Sequence, residues 1–176
     1  GHQARKRVMT RRALTRGLAA YDRQQWPLAA RELKSYLSAR PTDADILEKY
    51  ARAQLAIRPL EAVNLKTALN AYQALLGLRP GDPKIREQLA ALYFTIGNLS
   101  DLAYWCELRL KSDPHDLRAR LWWARALAGQ HKPAPAEALL VAVVEELDRK
   151  KAKAPEYVQA CLLLSGLAQT RSSPDR

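Results

Sequence analysis

A chain of 176 residues buries roughly 70% of the surface its unfolded form exposes, enough for one continuous core, and no disulfide is needed to hold it. The longest apolar run, near Ala138 to Val144, falls far short of the roughly 20 residues of a membrane span, and no cleavable signal peptide opens the chain. The net charge of +11 favours anionic partners, and its distribution carries more information than its total.

Residues 1 to 9 read as a basic extension of the first helix. Between residues 1 and 16 stand Arg5, Lys6, Arg7, Arg11, Arg12 and Arg16, with no acid among them. Such a surface attracts phospholipid headgroups, RNA or an acidic protein; the plainer alternative is a solubilising face. A first unit then spans about 10–41, with Tyr21-Asp22-Arg23-Gln24-Gln25-Trp26 in its turn and Pro27 placed at the start of its second helix.

The second unit, 42–80, opens at Thr42-Asp43-Ala44-Asp45, where Thr42 or Asp43 can cap a helix carrying Ile46, Leu47, Tyr50, Ala51 and Leu55. Its turn, Ile57 to Asn64, is long because Pro59 cannot continue a helix. The third unit, 81–114, turns at Gly97-Asn98, and the fourth, 115–148, turns through His131, Pro133 and Pro135. A final helix over 155–169 covers the fourth unit, and the tail 170–176 is expected to be disordered. Apolar residues recur every three or four positions throughout, and no strand-like alternation appears.

Pro41, Pro80 and Pro114 close three of these units, and each is followed ten residues later by alanine: Ala51, Ala90 and Ala124. Pro80 and Pro114 are 34 residues apart, and Pro41 and Pro80 are 39 apart, a spacing that one five-residue loop insertion explains. With each proline set at position thirty-two of its unit, and Asp148 in the proline's place in the fourth, the eighth position holds Gly17, Ala51, Ala90 and Ala124. The twentieth holds Ala29, Ala68, Leu102 and Ala136, and the twenty-fourth holds Leu33, Tyr72, Cys106 and Leu140.

This pattern resembles the tetratricopeptide repeat, whose 34-residue helix pair keeps small residues at the eighth and twentieth positions. Leu102 departs from it, and Ala103 beside it is the expected substitute if that helix is slightly rotated. The resemblance implies an all-α, right-handed α-α superhelix of four helix pairs with a capping helix, one solenoid domain over 10–169. The basic opening also resembles the juxtamembrane stretch of larger bacterial repeat proteins. That likeness implies a soluble excerpt of a membrane-anchored protein, with Gly1 as a cloning remnant, and leaves the compartment unassigned.

Catalytic parts are missing from the sequence. His2, His115 and His131 lie in a tail and two turns, and no zinc, nucleophile-elbow or phosphate-loop motif is present. Glu145 and Glu146 are adjacent, so on a helix they diverge instead of converging on a substrate. No catalytic residue, metal or cofactor is assigned. Cys106 and Cys161, both in apolar stretches, read as small buried hydrophobes, and one ring of Tyr104-Trp105 and of Trp122-Trp123 is expected in the core.

In the repeat class the first helix of each pair lines a concave groove. Transferred by position, the groove holds Arg52, Lys84, Glu87, Phe94, Arg118, Leu121 and Arg125. The family's clamp for a C-terminal carboxylate requires Asn at such positions, and none is there. The resemblance therefore implies a non-catalytic scaffold for a protein or peptide segment, with acidic side chains on it met by Arg52, Arg118 and Arg125 and apolar ones by Leu121 and Phe94. The alternative is a basic module docking through the first helix on RNA or anionic membrane, nucleic acid being the less favoured partner. Self-association through the stack's ends or an exposed Trp122 region is a third reading.

Overall fold

The computed structural model describes residues 1–173. Among these, nine helices and no strand are found: α1 (His2–Asp22), α2 (Trp26–Leu37), α3 (Ala44–Ala56), α4 (Ala62–Leu78), α5 (Pro83–Ile96), α6 (Leu99–Ser112), α7 (Leu117–Gly129), α8 (Pro133–Arg149) and α9 (Pro155–Ser172). The all-α reading holds, and the expected pairs α1–α2, α3–α4 and α7–α8 pack together. Helix α9 runs to Ser172, past the expected end at 169, and of the tail expected to be disordered residues 174–176 lie outside the described residues.

Local chemistry sets the helix starts. Asp43 accepts a hydrogen bond from the Ile46 amide at 3.3 Å, and Asp116 does the same for Ala119 at 3.0 Å. Both stand two residues after a unit-closing proline, so the repeat carries its own N-cap, which offsets an otherwise unpaired amide. Asn98 caps α6 in like manner, accepting from the Asp101 amide. The long turn between α3 and α4 lies where the five extra residues were expected. There the Asn64 side chain accepts from the Glu61 amide at 3.1 Å and donates to Gln54 on α3 at 2.9 Å, tying the turn to the preceding helix.

The helices fall into two compact units, Gly1–Leu92 and a second beginning at Tyr93. In the first, α1 packs on α2, α2 on α3 and α3 on α4. Gly17 shows why the eighth position must be small: a β-carbon there would stand 2.7 Å from Leu33 Cδ2 and 3.2 Å from the Leu33 backbone nitrogen. In the second unit α6 packs on α7, α7 on α8, and α9 on both α7 and α8. Its core gathers Leu121, Ala124, Ala136, Leu140, Val143, Leu147 and Ala160.

Every residue assigned to the eighth, twentieth and twenty-fourth positions is buried. Leu102 is among them, fully enclosed, while Ala103 is only half-buried. The expected rotation is therefore absent, and α6 keeps the register with a larger side chain. Trp122 also differs from the expectation of an exposed surface at that ring. It is 8% exposed, because α7 turns it toward the Phe94 ring and under the Arg125 guanidinium.

Candidate partner-binding surfaces

Four of the sequence-predicted groove residues stand in the second unit. Leu121 is 2% exposed and belongs to the core between α7, α8 and α9, so it is withdrawn from the groove. The fifth position of a first helix faces a partner only when no further helix lies over it, and α9 lies over α7. Phe94 is 43% exposed, with its ring 5.9 Å from Trp122 at a 55° tilt. The Arg125 guanidinium sits 4.5 Å above the same indole, a cation–π contact that holds the arginine flat against the helix. Arg118 reaches across to α9, its Nε 3.5 Å from Glu156.

Beside Arg125 a groove of about 500 Å³ opens between α7, α8 and α9, lined chiefly by Ala128, Leu162, Leu163, Gly166 and Leu167. Leu162 is 68% exposed. A β-carbon at Gly166 would touch nothing within 4 Å, so the groove is open at that point.

The other three groove residues, Arg52, Lys84 and Glu87, belong to the first unit. Arg52 pairs with Glu48 one turn earlier at 2.5 Å, the favoured orientation for a helical ion pair. Glu48 also receives Arg79 from the end of α4 at 3.3 Å, and Arg79 bonds Asp45 as well. Burial pushes the Tyr72 phenol upward, and the positive charge of the same Arg52 opposes that shift. Lys84 is exposed on α5, and Glu87 is half-buried. Each arginine assigned to an acidic ligand thus already has an internal companion.

All six cations of α1 are exposed. Lys6, Arg7 and Arg11 look into a cleft of about 960 Å³ whose other wall is the α2–α3 turn, with Tyr36, Ala39, Arg40 and Asp43. Arg16 lies on the far side of α1, near Arg23 and Arg31.

Elsewhere the charged groups serve packing. Glu146 on α8 accepts from Lys150 at 2.7 Å and from Arg120 on α7 at 2.6 Å, which together hold its carboxyl down at about 2. Cys106 is buried, and loss of hydration with the nearby Asp116 charge pushes its thiol up to about 12, so it stays protonated at neutral pH. Cys161 is only half-buried, against the expectation for it. Tyr104 is 62% exposed and Trp105 half-buried. No group of three or more metal-ligating side chains occurs among the described residues, and no helix among them is long and apolar enough to cross a membrane.

Sequence reading missed the Arg40 wall, the Arg118–Glu156 and Arg120–Glu146 pairs, and the Arg125–Trp122 stack. The last had a signal, since residues three apart share a helix face. The first three join residues brought together only by helix packing.

No protein-family model and no curated protein matches the chain. Solved structures do. The nearly identical TPR-like repeats described for a Podosopora anserina kinesin light chain superpose with a TM-score of 0.62 at 16% identity, over 99% of this chain and 90% of that one. A double mutant of MamA from RS-1 gives 0.56 at 15% identity, over 94% and 97% of the two chains. MamA from residue 41 to its end, from Desulfovibrio magneticus RS-1, gives 0.52 at 16% identity, over 96% and 98%. With every position of the repeat register buried, the chain has a tetratricopeptide-like helical-repeat fold.

Proposed function

We propose that the chain is a non-catalytic scaffold that holds a segment of a partner protein in a concave groove lined by first helices. Scaffolding of protein partners in general fits the fold. The observation that carries the finer reading is the open apolar groove where the first helix α7, at Arg125 and Ala128, meets Leu162 and Gly166 of α9. A preformed groove between packed helices avoids much of the ordering cost of association. Acidic side chains on the segment compete with Glu156 for Arg118, so apolar contacts at Leu162 and Phe94 contribute more.

A peptide array probed with the purified chain tests this reading. Peptides captured by the wild-type chain should be lost by a Phe94→Ala, Leu162→Glu double variant and kept by Lys111→Gln, an exposed position on α6. Equal capture by the double variant overturns the groove. The second reading, docking of α1 on RNA or anionic membrane, draws on the exposure of all six α1 cations. Its mark is affinity that falls steeply with salt, whereas the apolar groove predicts a shallow dependence.

A further inference from the structure

Helix α1 is longer than the helix it packs on. Its 21 residues span about 31 Å and the 12 of α2 about 18 Å. The buried residues of α1 begin only at Ala13, so its first half projects past α2 with no helix against it. The α2–α3 turn stands beside this projection, and the cleft of about 960 Å³ lies between the two.

The cations of α1 divide between two sides. At 3.6 residues per turn, Lys6, Arg7 and Arg11 fall on one side and Arg5, Arg12 and Arg16 on the other. The first set lines the cleft, and Arg40 joins it from the opposite wall. Asp43 is the one acid lining the cleft, and its carboxylate already accepts from the Tyr36 hydroxyl at 2.7 Å and the Ile46 amide. Four cations thus face one committed carboxylate, with Leu14 and Ala39 as an apolar floor.

We propose that this cleft binds an acidic amphipathic segment of a partner protein, its carboxylates between Lys6, Arg11 and Arg40 and its apolar side on Leu14. The slot has two walls, whereas a bilayer is flat and would meet the outward set first. Single-stranded RNA gains from stacking on aromatic faces, and the cleft's rings are Tyr36, half-buried and tied to Asp43, and the imidazole of His2 near the chain's start. This site is separate from the α7–α9 groove, so either can fail alone.

Two triple variants that remove equal charge separate the possibilities: Lys6→Gln, Arg11→Gln, Arg40→Gln for the cleft, and Arg5→Gln, Arg12→Gln, Arg16→Gln for the outward side. The probe is a fluorescein-labelled helical peptide of repeated Glu-Glu-Leu-Ala units, with a Gln-for-Glu analogue as control, and circular dichroism checks that both variants keep their helices. The cleft triple should weaken the peptide about tenfold, from three exposed pairs lost, and the outward triple less than about threefold. Equal loss in both triples, or equal binding of the Gln analogue, overturns the proposal. Tighter binding of phosphatidylserine vesicles or of polyuridylate than of the peptide also overturns it and moves the assignment to the α1 outward face.

Discussion

Helices α1 and α9 each have only part of their circumference covered, and they treat the rest differently. Helix α1 buries three small residues, Ala13, Gly17 and Ala20, and surrounds them with cations. Helix α9 fully buries Ala160, rests Tyr157, Leu163, Leu164 and Leu167 on α7 and α8, and exposes Val158 and Leu162. A charged face keeps its water and accepts only an opposite charge, while an apolar face gains by losing water to any complementary surface. The two helices therefore present two kinds of surface, one charged and one apolar.

Substituting the glycines of the two helices is the strongest test of that contrast. Gly17→Ala should cost about 1–3 kcal/mol in urea unfolding, since the new methyl meets Leu33 and its backbone. No loss there would mean that α1 does not approach α2 as closely as described. A smaller effect is expected at Glu146, which joins α8 to α7. Its folded carboxyl, held at about 2, lies below the ordinary value of 4.5, so its stabilisation is complete above 4.5 and disappears as pH falls through about 2. The melting temperature of Glu146→Gln should lie below wild type at pH 6, and the gap should close toward pH 2; a gap independent of pH would leave the Arg120 and Lys150 bonds without effect.

Gly166→Ala on α9 has the opposite sign. With nothing within 4 Å of the new methyl, it should stabilise by about 0.5–1 kcal/mol through helix propensity alone, read from the same urea curves. Smallest of all, Leu162→Gln should change stability by no more than about 0.5 kcal/mol, because the side chain is exposed. If Leu162→Gln unfolds at clearly lower urea, that side chain is part of the core, and α9 offers no apolar docking face.

The small-residue register could be read without coordinates because its cause is short in range. Two helices joined by one turn cross at a fixed place, and only Gly or Ala lets them close there, as Gly17 against Leu33 illustrates. Leu102 shows the limit of that rule, since α6 buries a leucine at a small position without rotating. The groove was less legible. Leu121 was assigned to it by position, yet α9 covers it, and the cleft wall at Arg40 is not adjacent in sequence to the α1 cations it faces.

The helix pattern, a cap at Thr42 or Asp43, the inserted turn at Pro59 and the buried stripe all follow from interactions within about a turn of helix, so the order of residues was enough to suggest them, and the Asp116 cap rests on the same short-range chemistry. The pairing of Arg118 with Glu156, the enclosure of Trp122 and the placing of Arg40 across a cleft from Lys6 and Arg11 came only from how separate helices lie against one another. Exposure is a property of neighbours, and the neighbours of a side chain on a repeat helix belong largely to other helices.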